Sequence, residues 1–140
     1  MRYVWEKIAL TLSANRVGLL LGVIGFRADQ TDHKLDLEEE ELEGYENIWV
    51  MRPLEPMKMS HLQELQRDIT PSHTNDGDAI SAIAVAIDMI QKATTLKTGK
   101  LGKFTRKVVL LTDGQGPMNG EDLDAIAEQM KTIEIELVVM

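Results

Sequence analysis

The spacing of apolar residues along the chain predicts four helices. Residues 1–14 place an apolar side chain at every fourth position, which is typical of an amphipathic helix. A second, short helix begins after Pro56, carries one apolar stripe and ends before Pro71. The third, from Asp78 to Ile90, combines helical spacing with several alanines that suit close packing on a sheet. The fourth follows Asn119, its predicted N-cap, and we expect it to bury Leu123, Ile126, Ala127 and Met130.

Four apolar runs of strand length lie between and after these helices. Val17 to Phe26 is nearly continuous, as is typical of a strand covered on both faces of a parallel or mixed sheet. Tyr45 to Met51 predicts a shorter strand, which we expect Pro53 to stop because proline lacks the N–H that a ladder needs. Val108 to Leu111 and Ile135 to Met140 predict two more. Helices and strands that alternate in this way predict an α/β sandwich with a mostly parallel sheet.

The two ends of the sequence fall inside predicted elements. Residue 1 lies in a helix and Met140 lies in an apolar strand. A helix that connects parallel strands needs a strand before it, and none precedes residue 1. We therefore expect residues 1–140 to be a single, truncated domain.

The amino-acid composition excludes several kinds of functional site. The chain has 140 residues and no cysteine, which excludes a disulfide framework, a cysteine-based zinc site and a thiol nucleophile. Its longest apolar run is about half of the roughly 20 residues that cross a bilayer, and no signal-peptide pattern follows Met1. We expect a soluble, intracellular protein without a membrane partner.

The formal net charge of −8 comes from one segment. Between Asp29 and Glu46 there are nine acidic residues and one lysine, whereas the rest of the chain is neutral. A second stretch, from Lys92 to Lys107, contains six basic residues. Both stretches are predicted to be exposed, solvated loops, although either could be a partner surface. The acidic balance argues against a stand-alone nucleic-acid binder, while the basic stretch leaves a local contact with a phosphate backbone open.

One short motif is a candidate metal ligand. Thr112-Asp113-Gly114 follows a predicted buried strand, at the edge where open α/β sheets place their ligand sites. The Asp113 carboxylate could hold a hard cation such as Mg²⁺, but Asp-Gly is also common turn punctuation, and on the motif alone the turn is favoured. Thr74, before the third helix, is a second candidate oxygen ligand, and a turn role is favoured there too.

No phosphate-binding loop is present in the sequence. Gly99-Lys100 and Gly102-Lys103 are the nearest candidates, but neither follows a strand or precedes Ser or Thr. A Walker-type ATP site is therefore not predicted.

Four segments together resemble a known family. The chain is similar to the N-terminal von Willebrand A-like domain of the larger Ku subunit, in its fungal form, over nearly its whole length. The segments that carry the resemblance are Asn47 to Val50, Gly77 to Ile90, Lys107 to Pro117 (including Thr-Asp-Gly-Gln-Gly-Pro) and Ile135 to Val139. The resemblance implies a Rossmann-like three-layer sandwich, with a mostly parallel sheet and helices on both faces.

The chain departs from the family pattern at the metal site. The central first strand with its Asp-x-Ser-x-Ser motif is missing. That strand belongs between the strands that begin at Val17 and Val108, so these should leave a gap or pair directly. Only Thr74 and Asp113 match the remaining metal-site positions, and two oxygens do not make a six-coordinate site. We predict no bound metal and no cofactor.

The resemblance also implies a function. The complete protein would pair with the smaller Ku subunit, encircle broken DNA ends through a later domain, and act in non-homologous end joining and telomere maintenance in the nucleus, at the chromosome and its telomeres. This domain would recruit repair and telomere factors through short peptide motifs. A groove beside the third helix is implied, with Asp78 pairing basic peptide residues and Ile83 and Ile87 near an apolar pocket. The isoleucines could equally face the sheet.

Two further functions are compatible with parts of the sequence. A metal-dependent adhesion-type domain, with Asp113 and Thr74 presenting a cation to a ligand carboxylate, is the alternative, and the missing motif counts against it. The family also carries an ATP-dependent DNA helicase subunit label. Because no ATP-binding motif is present in this sequence, we predict that this chain is not an enzyme.

Overall fold

A computed structural model describes residues 2–14, 18–33, 35, 43–116 and 118–140. The elements are helices α1 (Arg2–Ser13), α2 (Met59–Asp68), α3 (Ala79–Thr94) and α4 (Leu123–Thr132), and strands β1 (Leu20–Phe26), β2 (Ile48–Pro56), β3 (Arg106–Leu110) and β4 (Ile135–Val139). Their order along the chain is the predicted one. Outside the described part lie Val17, Pro117, part of the acidic stretch (Lys34 and residues 36–42), and the side chains of Val4 and Leu12.

The strands form two two-stranded sheets, β1 with β2 and β3 with β4. β3 and β4 are parallel, with Arg106 opposite Ile135 and Leu110 opposite Val139. The helix α4 connects them, because parallel neighbours need a crossover. Within the described residues β1 and β3 are not hydrogen-bonded to each other, so the direct pairing of these two strands is not found.

The chain divides into two compact units. The first comprises residues 1–23 and 50–71, and the second comprises residues 24–49 and 72–140. The single truncated domain stays a prediction. No helix in the described residues is long and apolar enough to span a membrane.

The first unit has its own apolar core. Ile8 of α1 and Leu65 of α2 are buried together with Met57, which lies between β2 and α2. Partly buried residues surround them: Trp5, Leu21, Val23, Met51, Leu62 and Ile69. The single stripe predicted for α2 is thus confirmed, since only one face of that helix supplies these contacts.

The second unit is built around α3. Its buried residues Ile80, Ile83 and Ile87 pack with Ile126, Met130 and Ile133 from α4 and its C-terminal end. Ala84, Leu110 and Ile135 are partly buried against this cluster. The predicted long apolar helix is confirmed as the centre of this core.

Several predicted boundaries and exposures were wrong. β2 continues through Pro53 to Pro56, because in a two-stranded sheet each strand has one unpaired edge where a missing N–H costs nothing. β1 is half-buried along its length rather than covered on both faces. Asp122, not Asn119, is the N-cap of α4, and the Asn119 side chain instead accepts a hydrogen bond from the Glu121 N–H at 3.1 Å.

Two side-chain environments also differ from prediction. Leu123 is 50% exposed because it is the first residue of α4 and lies at the end of the buried stripe. Lys92 belongs to α3 and pairs with Asp88 one turn earlier, so the basic stretch is not all loop.

The connection between α3 and β3 is held by Arg106. This residue is 4% exposed. Its Nε donates to Thr94 Oγ1 at 2.9 Å, its Nη2 to the Gly102 carbonyl at 2.7 Å and its Nη1 to the Phe104 carbonyl at 3.1 Å. One buried guanidinium therefore satisfies three oxygens of the basic connection, whose lysines remain exposed.

We expect Arg106→Met to lower the free energy of unfolding by about 3 kcal/mol, because buried acceptors lose charged hydrogen bonds and keep their desolvation cost. Urea unfolding followed by circular dichroism measures the change. Lys107→Met is the matched control, since its ion pair with Glu136 is exposed and is worth less than about 1 kcal/mol. Equal losses in the two variants would contradict a stabilising role for the three Arg106 hydrogen bonds.

Candidate functional site

Three loops of the second unit meet through side chains. They are residues 27–29 after β1, 72–78 before α3, and 112–119 after β3, and we refer to them as the loop cluster. Asp29, Asp78 and Asp113 each accept a hydrogen bond from another of these loops. The predicted site residues Thr74, Asp78 and Asp113 therefore lie in one cluster, where open α/β sheets place ligands.

Asp113 faces an arginine. Its Oδ1 accepts a hydrogen bond from the Gln115 N–H at 2.9 Å. The same oxygen forms an ion pair with Arg27 Nη1 at 3.4 Å. The pKa of Asp113 is lowered mainly by the hydrogen bond from the Gln115 N–H, and further by the positive charge of Arg27. Desolvation of Asp113 acts in the opposite direction. Asp113 is thus a carboxylate whose charge is already paired.

Thr74 is a turn residue here. Its Oγ1 accepts the Asp76 N–H at 3.0 Å and its carbonyl accepts the Ser72 hydroxyl at 3.2 Å. Among the described residues no group of three or more His, Asp or Glu side chains could hold a metal ion. A divalent cation does not fit this donor set, because the carboxylate faces a guanidinium and the threonine hydroxyl serves the backbone. That the protein binds no metal stays a prediction.

Asp29 and His73 form a contact that the sequence did not suggest. The His73 N–H donates to Asp29 Oδ1 at 2.7 Å, and His73 Nδ1 lies 2.9 Å from Asp29 Oδ2. The His73 side-chain and backbone hydrogen bonds lower the pKa of Asp29. The two residues are 44 positions apart, so no local pattern links them.

Asp78 is the N-cap of α3. Its Oδ2 accepts hydrogen bonds from the Ser81 N–H at 3.0 Å and the Ser81 hydroxyl at 3.1 Å. Its Oδ1 accepts the Asn119 N–H at 3.1 Å. The carboxylate satisfies an otherwise unpaired helix N–H and ties α3 to the third loop.

Ile83 and Ile87 lie in the core. They are 5% and 0% exposed and pack against α4 residues. Both isoleucines therefore face the core, which is one of the two orientations that the sequence left open. Neither side chain is exposed on a surface beside Asp78. A peptide-contacting role for either one stays a prediction.

An open cavity lies at the N-terminal end of α3. It has a volume of about 350 Å³ and is lined by Gly44, Glu46, Asn47, Asp76, Gly77 and Asp78. Three of these six residues are acidic, and none is basic. Burial, and then the negative charges of Asp122 and Asp78, raise the pKa of the neighbouring Tyr45 hydroxyl. The cavity is therefore a place of negative potential that suits a cationic group.

The Asp29–His73 contact predicts an acid-sensitive loop cluster. Because the folded-state pKa of Asp29 is lowered, its stabilisation is present above the unfolded pKa of about 3.9 and is lost as pH falls through the folded value. We expect Asp29→Asn to reduce the slope of unfolding free energy against pH below pH 4, as measured by urea unfolding. Asp124→Asn, on exposed α4 surface, is the control, and equal slopes in wild type and Asp29→Asn would contradict the assignment.

Comparison with known proteins agrees with this fold. Residues 20–138 match the family described as the Ku70/Ku80 N-terminal alpha/beta domain. Proteins named ATP-dependent DNA helicase II subunit 2 are similar over all 140 residues: 43% identical in Chaetomium globosum, 40% in Neurospora crassa and 32% in Yarrowia lipolytica. The chain spans 18% of the length of each of these relatives. The resemblance to Ku is confirmed, and the chain belongs to the Ku70/Ku80 N-terminal alpha/beta domain family.

Proposed function

We propose that this chain is a protein-interaction module of the larger Ku subunit that recruits partners carrying short basic peptides. The observation that carries the proposal is the acidic cavity at the start of α3, in a domain of the Ku family. A cavity with three carboxylates and no lining base favours an arginine or lysine side chain by charge complementarity.

The proposed role of the whole protein follows from its family. It pairs with the smaller Ku subunit, and the heterodimer binds DNA double-strand ends in non-homologous end joining and telomere maintenance. We propose the nucleus, with chromosomes and telomeres, as its location and repair and telomere factors as its partners. The net charge of −8 comes from residues 29–46 alone, so the proposed peripheral position of this domain rests on its family and not on its charge.

Within the cavity, Asp76 is the carboxylate best placed to take a partner's cation. Asp78 already accepts three hydrogen bonds from Ser81 and Asn119, and Glu46 accepts one from the Gly44 N–H at 2.9 Å. In the described part of the chain no hydrogen bond or ion pair reaches the Asp76 side chain. A carboxylate offers about four acceptor positions, so Asp78 keeps less capacity than Asp76.

We expect a fluorescein-labelled peptide with two arginines and a leucine to bind with a dissociation constant on the order of tens of micromolar. Asp76→Asn should weaken binding about threefold, because it removes one exposed charge pair. Fluorescence anisotropy at low and high salt measures both effects, and high salt should weaken binding because it screens exposed charges.

Two controls separate the cavity from the core. Asp124→Asn removes a carboxylate elsewhere and should leave affinity unchanged. Ile87→Val removes one methyl group from the core, and should also leave affinity unchanged if the cavity carboxylates carry the peptide. Failure of the basic peptide to saturate, or equal binding of a peptide with glutamates in place of the arginines, would refute the proposal.

We further infer that this chain does not carry ATP-driven activity, although its relatives are named ATP-dependent helicase subunits. The sequence has no Walker loop to cradle phosphates. Purified chain should release no phosphate from ATP above a buffer blank, with or without DNA ends. Turnover that persists after further purification and tracks the chain's concentration would overturn this inference.

A further inference from the structure

Arg27 has an unusual backbone position at the end of β1. Its φ is 56°, in the left-handed region that non-glycine residues rarely adopt. Gly77 of the neighbouring loop lies directly against it, since a Cβ added to Gly77 would be 2.7 Å from the Arg27 nitrogen. Such strain persists only where the surroundings hold it in place, so the direction of this side chain is imposed by the loop cluster.

The Arg27 side chain fills the space beside Asp113. It is only 17% exposed, whereas the Asp113 side chain is 68% exposed. A Cβ added to Gly116 would overlap the guanidinium group. The glycine at this position therefore leaves the room that the guanidinium occupies.

Asp113 is the one acidic residue paired with the Arg27 guanidinium among the described residues, and an aromatic ring also lies close to it. Nη1 pairs with Asp113 at 3.4 Å, Cζ lies 5.5 Å from the centre of the Phe26 ring, and the buried Nε has no hydrogen-bond partner among the described residues. A cation over an aromatic face is stabilised by the ring quadrupole. Arg27 is thus a mostly buried positive charge aimed at the carboxylate that follows β3.

We propose that Arg27 is a built-in cation that takes the place of a divalent metal in the loop cluster. A metal bound to Asp113 Oδ1 would sit about 2.1 Å from that oxygen and within about 5.5 Å of Nη1, where the two positive charges repel each other. Arg27 both neutralises Asp113 and excludes a metal from it. This site holds its loops together without any added ion, and it does not depend on the peptide proposal above.

Variants at two positions test the assignment in the full 140-residue chain. Arg27→Met removes the charge, and Gly116→Ala displaces the guanidinium while keeping it. Both should lower the melting temperature by about 4 °C. Gly120→Ala is the matched control, because a Cβ there meets nothing within 4 Å, and its melting temperature should stay unchanged.

Metal ions give the decisive readout. Millimolar Mg²⁺ or chelator should leave the wild-type melting temperature unchanged. Mn²⁺, which broadens nearby amide signals even in a weak encounter with one carboxylate, should broaden the backbone amide signals of Gly114 and Gln115 more strongly in Arg27→Met and Gly116→Ala than in the wild type, because only the variants leave the Asp113 carboxylate without its paired cation. If Arg27→Met does not fold, Gly116→Ala carries the test.

Either of two results would overturn the proposal. Broadening in the wild type as strong as in the variants would show that Arg27 does not exclude a cation. No broadening in a folded variant would show that the guanidinium was not what kept the metal away.

Discussion

The burial of one face of α3 is the interaction on which the second unit depends. Ile87 is completely buried, and Ile80 and Ile83 are nearly so, against α4 and the partly buried Leu110 and Ile135. Fully burying a side chain of this size contributes about 1.5–3 kcal/mol relative to leaving it exposed. Because this packing fixes the axis of α3, it also fixes where the helix begins. The Asp78 cap and the loop before it take their positions from that point.

The loop cluster is held together by carboxylates that look like ligands in the sequence. Asp78 and Asp113 stand where a binding site is expected, yet their oxygens accept hydrogen bonds from Ser81, Asn119 and Gln115. Loops at the end of a sheet lack ladder partners for their N–H groups, so side-chain acceptors supply them. Ligand-like residues can therefore be structural at such an edge, and the charges left for partners are their neighbours, such as Asp76.

Charge is distributed so that the two proposed sites do not compete. The cavity at the start of α3 is lined only by acidic and neutral residues, whereas the Asp113 carboxylate is paired by Arg27. A partner's cation is attracted to the first and gains little at the second, because a paired carboxylate has less charge to offer. The proposed peptide recruitment thus needs no metal, unlike the adhesion-type alternative.

Sequence periodicity determined the number, type and order of the elements, because helix and strand repeats are local and apolar residues must be buried on one face or two. It also placed Asp78 at the start of α3, since capping is a short-range preference. It failed where the outcome depended on neighbours, at Pro53 within β2 and at the start of α4, and it left the direction of Ile83 and Ile87 open. The pairing of Arg27 with Asp113 joins residues 86 positions apart. Only the tertiary structure could decide that contact, because the local spacing of apolar residues carries no information about which distant loops lie next to each other.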